Sequence, residues 1–107
     1  MELLTEDLRA QLPPLYSQEG SDDPTVYAKF FTPWTNWTWY ATEGSQEDGD
    51  FIFFGFVFGF EGEWGYFSLT ELESITGPFG LTIERDIYFT SAPWSEVKKT
   101  THKLVRE

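Results

Sequence analysis

The chain predicts an α+β fold: a mainly antiparallel sheet of about five strands, with a central Phe/Gly-rich hairpin and two short helices. Three observations carry this expectation. Residues 50–68 hold most of the eleven phenylalanines, interleaved with glycine. The stretches 25–31 and 37–42 alternate side chains at the period of a strand. Segments 2–12 and 69–75 carry capping residues and leucines at helical spacing.

Taken in order, Glu2 to Leu12 reads as a helix. Thr5 is its N-cap, Glu6 and Asp7 suit the positive end of the helix dipole, and Pro13-Pro14 stops it. Leu4, Leu8 and Leu12 form the apolar stripe that would cover the sheet. Tyr16 to Asp23 reads as a polar, mobile loop. Thr25 to Phe31 is a strand with Val26, Ala28 and Phe30 on one face; Pro33 to Asn36 turns the chain. Trp37 to Thr42 returns it with Trp37 and Trp39 together. Glu43 to Asp50 reads as an acidic loop.

The central hairpin follows. With Glu61-Gly62 as a two-residue turn, Phe60 pairs with Glu63, Gly59 with Trp64 and Val57 with Tyr66. Ile52, Phe54, Phe56, Phe58 and Phe60 then make the buried face. Gly55, Gly59, Trp64 and Tyr66 make the face offered to a partner, its glycines letting aromatic rings lie across bare backbone. Ser68-Leu-Thr-Glu71 has capping-box form and opens a helix that Gly77-Pro78 ends. Thr82 to Phe89 reads as a last strand, an edge or one with a wet face. The domain is expected to span 1–94, with 95–107 as a polar basic tail or terminal helix.

Composition narrows the chemistry. With no cysteine, thiolate catalysis and a disulfide scaffold are excluded. The one histidine, His102, falls in the tail, so no Ser–His pair is expected in the body, and no zinc site of the His/Cys kind. No phosphate-cradling motif is present. The acidic start lacks the pattern of a signal peptide and Phe51 to Phe60 is too short to span a bilayer, so a soluble cytoplasmic protein is expected.

The net charge is −11, and four of the seven basic residues are Lys98, Lys99, Lys103 and Arg106. That leaves Arg9, Lys29 and Arg85 in the body, which should repel nucleic acid and attract basic surfaces. The residues expected to contact a partner are the acids Glu43, Glu47, Asp48, Asp50, Glu61, Glu63, Glu84 and Asp86. Trp34, Trp64 and Tyr66 join them as aromatic anchors, since five tryptophans exceed what one small core hides.

Leu3-Leu4-Thr5, Leu8-Arg9, Leu12-Pro13, Lys29-Phe30-Phe31, Asn36-Trp37-Thr38-Trp39-Tyr40, Glu43-Gly44 and Asp50-Phe51 resemble one small family. So do Phe53-Phe54-Gly55, Glu63-Trp64-Gly65-Tyr66-Phe67-Ser68-Leu69, Glu71-Leu72-Glu73 and Glu84-Arg85-Asp86. This is domain-of-unknown-function family 2958, and the likeness covers roughly residues 1–94. It implies an origin on bacterial plasmids, phages or integrative elements, and it supplies no activity.

The resulting expectation is a non-catalytic, cofactor-free, metal-free acidic domain that binds a protein with a basic or nucleic-acid-binding surface. An anti-restriction or other anti-defence factor, acting by DNA mimicry or site occlusion, fits that origin by association. Two alternatives stay open. One is a metal-dependent enzyme acting on nucleic acid or a small substrate through Glu61, Glu63 and Glu73. The other is a transcription or replication accessory that touches nucleic acid through Lys98 to Arg106.

Overall fold

The computed structural model describes the backbone of residues 1–105 and the side chains of residues 1–100. The fold is α+β, built on a five-stranded antiparallel sheet. Its strands are β2 (Ala28–Phe31), β3 (Thr38–Glu47), β4 (Asp50–Phe58), β5 (Gly62–Ser68) and β6 (Glu84–Arg85), in the order β5-β4-β3-β2-β6. A second, two-stranded sheet joins β1 (Thr25–Val26) to β7 (Ala92–Pro93). Helices α1 (Glu6–Gln11), α2 (Leu69–Ser74) and α3 (Trp94–Val105) complete the chain.

The local signals that decide helix ends hold well. Thr5 caps α1 by accepting the Leu8 N–H at 3.1 Å, so the helix starts at Glu6 and the buried Leu3 and Leu4 precede it. At α2, Ser68 accepts the Glu71 N–H while the Glu71 carboxylate accepts the Ser68 N–H, the reciprocal capping box.

The central hairpin departs from expectation. Its turn is Gly59-Phe60-Glu61, closed by the Gly59 N–H on the Glu61 carbonyl. The observed pairs are Phe58 with Gly62, Val57 with Glu63, Phe56 with Trp64 and Gly55 with Gly65. This register moves the pairing by three residues and reverses the faces. Phe51, Phe53 and Gly55 are buried, while Ile52, Phe54, Phe56 and Phe58 are only partly covered and Phe60 is 95% exposed. Gly59 does receive a ring, but that of Trp37 rather than Trp64; Phe56 lies over Gly62, and Gly55 meets the Tyr40 backbone instead of a ring.

The stretch expected as an acidic loop is also strand. β3 runs on through Glu47 and turns at Asp48-Gly49, both with positive φ (47° and 82°), so that Glu47 pairs with Asp50. This is the Asp-Gly two-residue hairpin turn, where glycine is needed for its backbone angles. Conversely, the strand expected over 82–89 shrinks to Glu84–Arg85, because a turn at Asp86–Phe89 takes the chain off the sheet edge. Ala92-Pro93 pairs with β1, and Trp94–Val105 continues as helix.

One face of the sheet carries the main core. Phe30, Trp39, Ala41, Phe51, Phe53 and Phe67 pack there beneath Leu4, Leu8 and Leu12 from the α1 segment, with Leu72 of α2 and Ile83. Phe53 stacks on Phe67 at 5.2 Å and meets Phe30 and Phe51 edge-on or tilted. The opposite face holds a smaller cluster in which Tyr40 and Val26 meet Val97 of α3, with Phe56, Phe89 and Trp94 around them. Asp23 docks α3 there: its carboxylate accepts the Ser95 N–H at 2.8 Å and the Ser95 hydroxyl at 2.7 Å. Among the described residues no helix is long and apolar enough to cross a membrane.

Candidate functional site: an aromatic cleft with an acidic rim

A bulge in β3 creates the site. The β3–β4 pairing shifts between Ala41 and Glu43, so Thr42 is the extra residue. The strand approaches β4 so closely here that a Cβ on Gly55 would sit 1.7 Å from the Tyr40 carbonyl oxygen. The bulge brings Glu43 opposite Phe54, on the α3 side of the sheet. There Glu43 is only 3% exposed. Its carboxylate accepts the N–H of Tyr16 and the N–H of Gln18, both at 2.7 Å.

The 16–23 loop is therefore clamped rather than mobile. Gln18 completes the clamp: its side-chain amide donates to the carbonyls of Thr25 and Thr42 and accepts the Thr25 N–H. Thr42 in turn donates its hydroxyl to the Phe54 carbonyl. Polar groups that a bulge would leave orphaned are thereby satisfied within the chain.

Over this floor opens a cleft of about 450 Å³. Its walls are Tyr16, Phe54, Trp64, Tyr66 and Trp94, and Glu19 and Asp22 stand at the rim. Phe54 stacks on Trp64 at 6.0 Å and meets Tyr66 at 4.9 Å; Trp64 meets Trp94 edge-on at 5.2 Å. Trp64 remains 40% exposed and Tyr66 55% exposed despite these contacts. The Tyr66 phenol is pushed above its usual 10.0 by a hydrogen bond to Tyr16, by burial and by the neighbouring charges of Tyr16, Glu19 and Glu43.

The expected partner residues do not form one surface. Glu43 points inward as the loop clamp. Asp50 caps: burial opposes its charge, but hydrogen bonds from Phe51, Thr70 and Ser68 outweigh this and hold the carboxyl below the ordinary value. Glu47 and Asp48 are exposed at the β3–β4 turn, and Glu61 at the β4–β5 turn. Glu63 pairs with Val57, on the face opposite Trp64. Asp86 pairs with Lys29 at 3.8 Å, whereas Glu84 sits beside it on the edge strand. Arg85, between them in sequence, has a buried Nε without a partner among the described residues. Trp34 rests on Gly77, beside a wider groove of about 730 Å³ that also takes in Trp37, Trp39 and Glu63.

Of the expected set, Trp64, Tyr66 and, beneath them, Glu43 come together at the aromatic cleft, while Trp34, Glu63, Trp64 and Tyr66 line the wider groove. Tyr16, Glu19, Asp22, Phe54 and Trp94 are additional members; the fifth tryptophan and an aromatic opening a polar loop were the signals available for Trp94 and Tyr16. Among the described residues no three His, Asp or Glu side chains converge as metal ligands, and Glu61, Glu63 and Glu73 do not.

The family model described as a protein of unknown function, DUF2958, matches residues 3–103. The chain belongs to that family. The match runs past Trp94, where the resemblance read from the motifs ended, and takes in most of α3. No curated protein and no solved structure matches this DUF2958 chain.

Proposed function

We propose that this DUF2958 domain is a non-catalytic binding module that takes a basic protein partner at the aromatic cleft. The observation that carries the reading is the pair Trp64 and Tyr66, left half-open in a ring cluster whose rim is acidic. Aromatic side chains with one face free are typical anchors of protein interfaces. The net charge of −11 adds long-range attraction for a cationic partner. Within this reading, an anti-restriction role is better served by occluding a partner's nucleic-acid site than by mimicking DNA. Mimicry needs a row of free carboxylates, and Glu43, Asp50 and Asp86 are engaged inside the domain.

A library of Lys/Arg-rich peptides, selected against the immobilised domain at physiological salt, tests the proposal. Selected peptides should lose binding to a folded Trp64→Ala, Tyr66→Ala double variant and keep binding to Glu47→Gln, Glu84→Gln. Peptides that bind the ring variant as well as wild type would refute the cleft as the site.

A further inference from the structure

The cleft's polar floor is bonded within the chain and Glu43 is almost wholly buried, and this constrains the kind of cation it can hold. Each oxygen of the Glu43 carboxylate receives a backbone N–H, from Tyr16 and from Gln18. The Gln18 amide is bonded on both its nitrogen and its oxygen. The Thr42 hydroxyl is bound to the Phe54 carbonyl. An arginine fork wants an open carboxylate edge, and a primary ammonium wants several acceptors to replace its water. The floor presents negative charge and few free acceptors, beneath walls of ring faces.

We propose that the cleft recognises an alkylated ammonium group, specifically a methylated lysine side chain of the protein partner. Such a cation carries little hydration to lose and is attracted to aromatic faces by their quadrupoles, with Trp the strongest. Trp64, Trp94, Tyr66, Tyr16 and Phe54 supply those faces. Glu43 lies beneath them as a fixed negative charge that lends its field rather than a hydrogen bond, and the rim acids Glu19 and Asp22 extend that field outward. The volume of about 450 Å³ lies in the range of small-ligand pockets and accommodates the side-chain head with part of its stem.

This inference rests on the basic-partner reading, and one titration separates the two. Capped tripeptides Gly-X-Gly, with X as lysine, trimethyl-lysine, arginine or the uncharged tert-butyl carbon isostere of trimethyl-lysine, are titrated into the whole chain. Binding is followed by tryptophan fluorescence and by NMR shifts at the Trp64 and Trp94 indoles. The trimethyl-lysine peptide should bind about tenfold tighter than the lysine peptide and than the neutral isostere. Glu19→Gln should weaken it by a fewfold, and Tyr66→Ala should bring it to the level of lysine. Equal or tighter binding of lysine or arginine overturns methyl-ammonium recognition and leaves the basic-partner reading standing. Equal binding of the isostere also overturns it, reducing the cleft to an apolar slot. If no peptide moves either indole, both readings fall.

Discussion

Replacing Glu43 offers the sharpest test of how the site is built. Glu43→Gln keeps size and shape but turns one acceptor oxygen into an NH₂ group, which then faces the N–H of Tyr16 or Gln18. One charge-assisted hydrogen bond is lost and the other becomes neutral. Hydrogen bonds to charged groups contribute about 1.5–3 kcal/mol and neutral ones about 1 kcal/mol. Both donors are only partly buried, so water can reach the vacated one and the low end applies. The expected loss is about 2 kcal/mol, and about 3–4 kcal/mol for Glu43→Ala, which frees both donors. In a domain near 100 residues, each kcal/mol lowers Tm by about 4–8 °C. Urea unfolding gives the energies, and amide exchange at Tyr16 and Gln18 shows where they arise. Those two amides should exchange far faster in the Gln variant while Phe53 and Phe67 stay protected. A Glu43→Gln protein within about 0.5 kcal/mol of wild type, with both amides still protected, would show that the carboxylate is not the clamp.

Three further perturbations address the scaffold. Phe53→Ala removes a fully buried ring that touches Phe30, Phe51 and Phe67, and should cost about 3–5 kcal/mol in denaturant unfolding. Gly55→Ala drives a methyl into the Tyr40 carbonyl and should cost about 3 kcal/mol or more, whereas Gly65→Ala, with open space around the new Cβ, should fall within about 1 kcal/mol of wild type. Asp23 is held below its ordinary 3.8 chiefly by the Ser95 hydroxyl, then by the Ser95 N–H. A carboxyl lowered in the folded state lends stability that is complete above 3.8 and disappears as pH falls through the lowered value. Acid titration should therefore loosen α3 before the main core, read as Trp94 fluorescence changing ahead of far-UV signal, and Asp23→Ala should abolish that early step.

What was legible in the sequence was local. Thr5 and the Ser68–Glu71 box declare their helices because a cap and its target lie within three residues of each other. The alternation of Val26, Ala28 and Phe30 survives as burial, although the kink at Tyr27 sends Val26 to the α3 cluster and the other two to the main core. The register of the central hairpin was ambiguous for a physical reason. Both faces of Phe51–Phe60 carry large apolar side chains, so alternation does not say which is inside, and a Glu-Gly turn competes with a three-residue one. Asp48-Gly49 was a legible signal, the stronger turn dipeptide, hidden by the carboxylates around it. Glu43 as a buried clamp was not legible, since it depends on the bulge at Thr42 and on a loop that begins 27 residues earlier at Tyr16. The β1–β7 pair joins only two residues on each side across most of the chain, and carries no pattern in either segment.

The two layers that cover the sheet also enter the molecule at different moments. β3, β4 and β5 are consecutive strands joined by tight turns, the kind of short-range pairing that forms fast. Helices α1 and α2 and Ile83 all lie before residue 90, so the main core needs no residue of β7 or α3 and can close without them. The aromatic cleft has no such early life: Trp94 is one of its walls, and β7 and α3 must arrive before it exists. Until they dock, Phe54, Phe56, Trp64 and Tyr66 form an unroofed ring surface. Binding competence thus depends on segments the main core does without, and a purified chain truncated at residue 90 should hold a closed core and no cleft.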